Sequence, residues 1–335
     1  MSEITSSLDD LLASDEQSQN LTYFAFALAQ GALPEVAPTR AAISELPEVL
    51  VGRYRLERLL GAGGMGLVYR ARDLLSEQFG APDPYVALKI LGEEFADSPD
   101  ASALLYGEFA LTQQLRHDNV LRPHTFEVDT NCQRAFFTME LMRGLTLDKL
   151  LCERPLGIAW NELRTIVQPL LDALAHAHGR GVLHGDMKPS NVMVSEEGIR
   201  LFDFGLGQAD DGVLPGLPHV SRERFNAWTP GYAAPELLDG EPLTARADIY
   251  GVACVIYELA GGKHPFRRLP SNQARDAQLE GELHAPRHLP RRCWPAVKTA
   301  LAFDPAQRTI TAQELRDALH APPTWLKRLT GRHNG

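Results

Sequence analysis

Residues 184 to 191 read His-Gly-Asp-Met-Lys-Pro-Ser-Asn, and twelve positions beyond Asn191 comes Asp203-Phe204-Gly205. An acid (Asp186), a cation (Lys188) and an amide (Asn191) on one short loop, with a second acid (Asp203) on a following strand, suit the transfer of a phosphoryl group with the help of a metal ion. The rest of the chain then has to deliver ATP to this loop.

Upstream elements have the right types for that task. Tyr54 to Leu60 alternates polar and apolar residues, and Gly61-Ala-Gly63-Gly64-Met-Gly66-Leu-Val68-Tyr forms a glycine-rich turn between two strands. Such a loop lets backbone N–H groups approach phosphates without interference from a Cβ. A strand, not a helix, follows it, so a dinucleotide-binding reading, which needs strand, loop and helix, loses. Tyr85 to Leu91 is an apolar strand holding Ala87 and one central cation, Lys89. A lysine in such a strand needs an anionic partner, either a nucleotide phosphate or an acid on the next helix. That helix is expected over Ala101 to Arg116, with Asp100 available as its N-cap, Leu104, Leu105, Ala110, Leu111 and Leu115 as its apolar stripe, and Glu108 in its middle.

Composition bounds the fold and excludes some functions. The chain has 335 residues, 44% of them hydrophobic and 23% charged, enough for one large core or two moderate ones. Its net charge of −10 argues against nucleic acid as the main partner. The four cysteines (Cys132, Cys152, Cys254, Cys293) are far apart and form no CxxC pair, which fits a reducing cytoplasm better than a disulfide framework or a zinc site. No export signal or membrane anchor is expected, because the start lacks a basic region and the longest greasy stretch, Leu21 to Ala29, is too short to span a bilayer. Residues 1 to 50, with eight acids and one base, read as an acidic extension carrying one short helix, and Pro34, Pro38 and Pro47 mark a linker.

Taken in order, GAGGMGLVY, VALK, Glu108, HGDMKPSN, DFG and Ala234-Pro235-Glu236 resemble the signature of the eukaryotic-type (Hanks-type) Ser/Thr protein kinases, and most of all their bacterial members. The resemblance runs from about Arg53 to Leu319, and the ordered set is far more specific than any one motif in it. It implies an α+β, bilobal fold: an N-lobe at residues 53–142 with a five-stranded antiparallel sheet and one helix, and a mainly helical C-lobe at 143–320. The acidic extension would be 1–52 and a short basic tail 321–335.

The resemblance also assigns roles. Asp186 would orient the substrate hydroxyl and accept its proton, Lys188 would neutralise charge on the transferring phosphate, and Asn191 and Asp203 would hold Mg²⁺ (or Mn²⁺). Gly61, Gly63, Gly64, Gly66, Val68, Ala87, Lys89, Glu108, Glu140 and Met142 would surround ATP, with Lys89 tied to Glu108 and the hinge backbone near Glu140 and Met142 bonding adenine. Met139 would stand at the back of the adenine pocket, Thr229 against the catalytic Asp and Lys, and His184 would pack beneath the loop. Asp248 would bond the catalytic-loop backbone and Arg308 would pair with Glu236, both as scaffold. The partners implied are protein substrates bearing Ser or Thr, with autophosphorylation and possible cis-regulation by the extension, and without nucleic acid or an integral membrane segment.

One departure stands out. Most relatives carry Arg before the catalytic Asp, where it pairs with a phosphorylated activation-loop residue, and here that position is Gly185. Activity is therefore expected not to depend strongly on loop phosphorylation, for which Ser221 is the remaining candidate site. Two other readings stay open: a small-molecule phosphotransferase similar to aminoglycoside and choline kinases, which also carry HGD, and a pseudokinase that binds partners without catalysis. His176 and His178, two apart on a helix expected over Trp160 to Arg180, face different sides and read as structural, and Pro169 should kink or cap that helix.

Overall fold

The computed structural model describes residues 46–63, 66–95, 99–209 and 228–320. The Leu21 to Ala29 patch with its expected helix, Gly64, Ser221 and the basic tail lie outside the described residues.

The chain begins with β1 (Val49–Leu50), β2 (Tyr54–Gly63), β3 (Gly66–Asp73), α1 (Leu74–Gln78), β4 (Tyr85–Leu91) and α2 (Pro99–Gln114), then β5 (Pro123–Asp129) and β6 (Arg134–Met139). The strands make one antiparallel sheet in the order β1-β2-β3-β4-β6-β5. The five expected strands are thus joined by a sixth. Val49 and Leu50 pair with Arg55 and Tyr54 because the turn at residues 51–53 folds them straight back, and the Val51 N–H donates to Asp129 Oδ2 at 2.6 Å.

Both faces of this sheet are covered, and period-two alternation sorts its residues between them. Along β6, Ala135, Phe137 and Met139 pack with Leu105 and Phe109 of α2, whereas Phe136 points the other way, into a cluster of Leu50, Tyr54, Tyr69, Leu88 and Ile90. Residues 46–51 form the lid of that second cluster through Leu46, Leu50 and Val51. Helix α2 begins at Pro99 and ends at Gln114, so Asp100 lies in its first turn and is not its cap. Proline is well placed at a helix start, where its missing N–H costs no hydrogen bond.

The second lobe follows: β7 (Gly144–Thr146), α3 (Leu147–Glu153), α4 (Trp160–Gly179), β8 (Val182–Leu183), β9 (Val192–Ser195), β10 (Gly198–Leu201), β11 (Gln208–Ala209), α5 (Pro235–Leu238), α6 (Ala245–Gly261), α7 (Ser271–Asp276), α8 (Trp294–Ala300) and α9 (Ala312–His320). Helix α4 buries Leu163, Ile166, Val167, Leu170, Leu171 and Leu174 at helical spacing and runs through Pro169 without a break. Helix α6 is buried almost all round and forms the axis of the lobe. Helix α9 opens on a capping box: the Thr311 N–H donates to Glu314 Oε2 at 2.8 Å, and the Glu314 N–H donates to Thr311 Oγ1 at 3.2 Å.

Candidate active site

Between the lobes lies a cleft of about 410 Å³. The sheet supplies Gly61, Ala62, Gly66, Val68, Ala87 and Lys89 to its roof, β6 and the following segment supply Met139, Glu140 and Met142 to its back, and the 184–191 loop and Asp203 form its floor. Residues separated by more than a hundred positions therefore meet in one space.

Lys89 anchors the roof. Its Nζ donates to Glu108 Oε1 and Oε2 at 2.6 and 2.7 Å and to Asp203 Oδ1 at 2.9 Å. Strand β4 places Lys89 and α2 places Glu108, while Asp203 reaches in from a left-handed backbone (φ 66°, ψ 63°) that few non-glycine residues adopt. One cation between two carboxylates sets the electrostatics. Burial opposes the charge on Lys89, but Asp203 and Glu108 prevail and hold the ammonium well above its usual range. Burial pushes the Glu108 carboxyl up, and the neighbouring Asp203 charge pushes it further. Asp203 is lowered because Lys89 outweighs the cost of its own burial.

The glycine-rich turn behaves partly as expected. Gly61 and Gly66 line the cleft, and Gly63 is the last residue of β2. A Cβ on Gly66 would stand 2.9 Å from the Ile90 carbonyl oxygen, so this glycine is required by the close approach of β3 to β4 as well as by the cleft.

On the floor, the side chains at 186, 188 and 191 converge. Lys188 Nζ lies 2.6 Å from Asp186 Oδ2 and donates to Thr229 Oγ1 at 3.0 Å. Asn191 Nδ2 donates to the Asp186 carbonyl at 2.8 Å and to its Oδ2 at 3.2 Å. That leaves the Asn191 amide oxygen and the second Asp203 carboxylate oxygen as hard donors of the kind Mg²⁺ takes. The donor set fits a divalent metal ion.

Buried groups fix the loop from below. Asp248, at the start of α6 and 2% exposed, accepts the N–H groups of His184 and Gly185 at 2.8 Å each and bonds His178 Nε2 at 2.9 Å. Its carboxyl is lowered: burial works against the charge, but these hydrogen bonds and the two imidazoles outweigh it. His184 accepts the Asp186 N–H at Nδ1, so its Nε2 carries the proton and donates to the Phe202 carbonyl at 3.0 Å, while its ring packs on Phe204 at 4.6 Å between centroids. It supports the loop and has no free nitrogen to act as a base.

Some of the site is absent from the sequence-based expectations. Asp148, Lys149 and Ser190 also line the cleft, and Phe95, Leu105, Thr112, Leu121 and Phe137 extend it behind Met139. Arg200 of β10 lies 3.5 Å from Glu140, and the Glu140 N–H donates to the Arg122 carbonyl, so the hinge is pinned from both lobes. Tyr232 donates to buried Glu258 at 2.5 Å, and Arg268 holds the same carboxylate at 2.8 Å. No local pattern marks Asp148, Arg200 or Glu258, since each gains its role from how the elements around it pack.

A family model described as the protein kinase domain matches residues 54–320. The chain is 32% identical over 266 residues to the serine/threonine-protein kinase PkaA of Streptomyces coelicolor, covering 76% of this chain and 47% of that protein. It is 33% identical over 283 residues to the serine/threonine-protein kinase pkn3 of Myxococcus xanthus, covering 80% and 50%. This chain therefore spans about half the length of the curated relatives it matches. Among solved structures, the kinase domain of Mycobacterium tuberculosis PknI superposes with a TM-score of 0.59 at 27% identity, covering 81% of this chain and 96% of that one.

Proposed function

The chain belongs to the protein kinase domain family, and from that premise we propose that it transfers the γ-phosphoryl group of ATP to Ser and Thr hydroxyls of protein substrates, itself included. One observation carries the reading: Lys89 and Glu108 in the roof are already joined to Asp203 in the floor, where Asp186, Lys188 and Asn191 line the same cleft.

Each residue then has a task its surroundings suit. Lys89, held by Glu108, binds phosphate oxygens on the nucleotide. Asp186, positioned by Asn191, accepts the proton of the attacking hydroxyl. Lys188, beside it, offsets charge on the phosphoryl group as it moves. Asn191 and Asp203 hold the metal ion, which when bound neutralises charge on the phosphates. The hinge near Glu140 and Met142 takes the adenine.

Support for a protein acceptor comes from the segment after Thr229. Its hydroxyl bonds Lys188, Tyr232 is tied to Glu258, and Ala234-Pro235-Glu236 is locked to Arg308. That is a fixed platform beside the phosphoryl site. Gly185 offers no cation for a phosphorylated residue, so basal activity does not depend strongly on such a switch. Residues 1–52 regulate the domain in cis, and the free thiols of all four cysteines suit the reducing cytoplasm.

The test is phosphate transfer from labelled ATP with Mg²⁺ to a generic protein and to a panel of amino sugars, using wild type and Asp186→Asn. Label on Ser and Thr of the protein, falling by about 10²-fold or more in the variant, is the expected result. Equal incorporation by the variant would sink the catalytic assignment. Labelled amino sugars alone would favour the small-molecule reading, and none from either protein would favour a partner-binding pseudokinase. Phosphatase treatment that removed nearly all activity would overturn the reading of Gly185, and deletion of residues 1–45 without effect on turnover or oligomeric state would remove the regulatory role.

A further inference from the structure

Besides Asp248, helix α6 buries a second carboxylate, Glu258, which the phosphoryl chemistry does not use. Its side chain is 3% exposed. Its Oε2 accepts the Tyr232 hydroxyl at 2.5 Å, and its Oε1 accepts Arg268 Nη2 at 2.8 Å. A buried carboxylate needs partners of this kind. The cation that covers it, however, keeps 38% of its side chain in solvent, so the pair shows its positive member to the surface.

This cluster adjoins the catalytic loop. A Cβ on Gly251 of α6 would stand 2.8 Å from the Cβ of Met187, which lies between Asp186 and Lys188, and 3.3 Å from the Tyr232 carbonyl oxygen. Helix α6, the loop and the turn after Thr229 therefore meet at one point. Glu258 lies about two turns further along the same helix, roughly 10 Å on. An extended acceptor chain advances about 3.3 Å per residue, so the side chain that reaches the cluster stands roughly three positions from the acceptor hydroxyl. The segment carrying Arg268 is fastened to the same platform: the Ser271 N–H donates to the Pro230 carbonyl at 3.1 Å, and Ser271 Oγ donates to the Ala233 carbonyl at 2.6 Å. Arg267 and Arg268 both adopt left-handed backbone (φ 56° and 59°), held because His264 Nδ1 accepts the N–H groups of Phe266 and Arg268 at 3.1 Å each.

Glu258 is thus neutralised from within the chain. A basic side chain arriving at this surface meets a guanidinium where it would otherwise find a carboxylate, and like charges repel. An acidic side chain meets the same guanidinium, whose planar donors match a carboxylate. The neighbouring Arg267 is engaged by Glu282 at 2.9 Å, which leaves Arg268 to set the sign of the charge beside Tyr232. We propose, on the premise of the protein-kinase reading above, that Arg268 determines acceptor specificity: it favours Ser and Thr with an acidic residue roughly three positions away and rejects a basic residue there.

The experiment uses peptides built around a Ser that the full chain labels in a generic protein, with Glu, Ala or Arg placed two to four positions to either side. Wild type should give a kcat/KM about fivefold or more higher for Glu than for Arg at one of these positions, with the difference in KM. Arg268→Gln uncovers the Glu258 carboxylate and should invert that order, whereas Arg268→Lys should keep it. Glu258→Gln combined with Arg268→Gln leaves no buried charge uncompensated and serves where the single variant fails to fold. This double variant should treat the Glu and Arg peptides alike. The inference is overturned if wild type turns over the three residues equally at every position, or if the double variant keeps the wild-type order. It is also overturned if Arg268→Gln lowers kcat for all peptides by one factor and leaves their ratios unchanged, because Arg268 would then be structural only. Absence of any labelled Ser in the generic protein would instead overturn the protein-kinase reading itself, and this inference with it.

Discussion

At the scale of single residues, Gly185 shows how the backbone constrains the catalytic loop. It sits at φ +82°, in the left-handed region, with its N–H on Asp248 Oδ1 at 2.8 Å. Any side chain placed there carries the left-handed penalty of about 1–2 kcal/mol. Gly185→Arg should therefore lower stability by about 1 kcal/mol, seen as a drop of ~2–4 °C in Tm by calorimetry for a domain of this size. An unchanged or higher Tm would show that the loop relaxes to accommodate the new side chain. The left-handed Asp203 is the complementary case, since its strained backbone aims a carboxylate at Lys89. At this scale the candidate site was largely legible in the sequence. Lys89 in an apolar strand announces an anionic partner, and Asp186, Lys188 and Asn191 are close enough in sequence for one loop to bring them together. Asp148 and Arg200 were not legible, because their roles follow from where α3 and β10 pack and not from their neighbours in sequence.

At the scale of elements, the segment 234–238 and the turn before α9 are held to each other by one side chain. Arg308 is 1% exposed, and it donates to Glu236 Oε1 and Oε2 at 2.7 and 2.6 Å and to the carbonyls of Ala302, Arg246 and Phe303 at 2.7, 2.7 and 3.1 Å. Every donor direction of the guanidinium that faces this segment is used. Arg308→Met keeps most of the volume but leaves Glu236 and three carbonyls without their cation, at an expected cost of about 3–5 kcal/mol. Urea unfolding of wild type and variant measures it, and a difference below about 1 kcal/mol would mean that water replaces the lost donors. Element boundaries explain where sequence reading fell short. Val49 and Leu50 are too few to show strand periodicity, and only the turn at 51–53 makes them the sixth strand. The start of α2 shifted because Pro99 is compatible with a first helical turn and Asp100 did not need to cap it. Helix α4 passes through Pro169 because its apolar face is buried along its whole length, and that packing outweighs one lost backbone hydrogen bond.

At the scale of the whole molecule, pH acts through groups the fold removes from water. His264 is 7% exposed, and its Nδ1 accepts the N–H groups of Phe266 and Arg268 at 3.1 Å each. Burial, reinforced by the nearby Arg268 cation, lowers it to about 3 from an ordinary value of 6.5. The unfolded chain therefore binds a proton at this site that the folded chain refuses. Its stabilisation is fully present above pH 6.5 and is lost as the pH falls toward 3, with a slope of about 1.4 kcal/mol per pH unit for one proton. Asp248, lowered by its hydrogen bonds, adds loss of the same sign once the pH falls below the ordinary carboxylate range. His264→Asn keeps an acceptor for the two backbone N–H groups but cannot take up a proton in the unfolded state. Urea midpoints measured from pH 7 to pH 4 should fall more steeply for wild type than for this variant, the two curves converging toward acid pH. Parallel curves would assign the acid sensitivity to the carboxylates and remove His264 from the account.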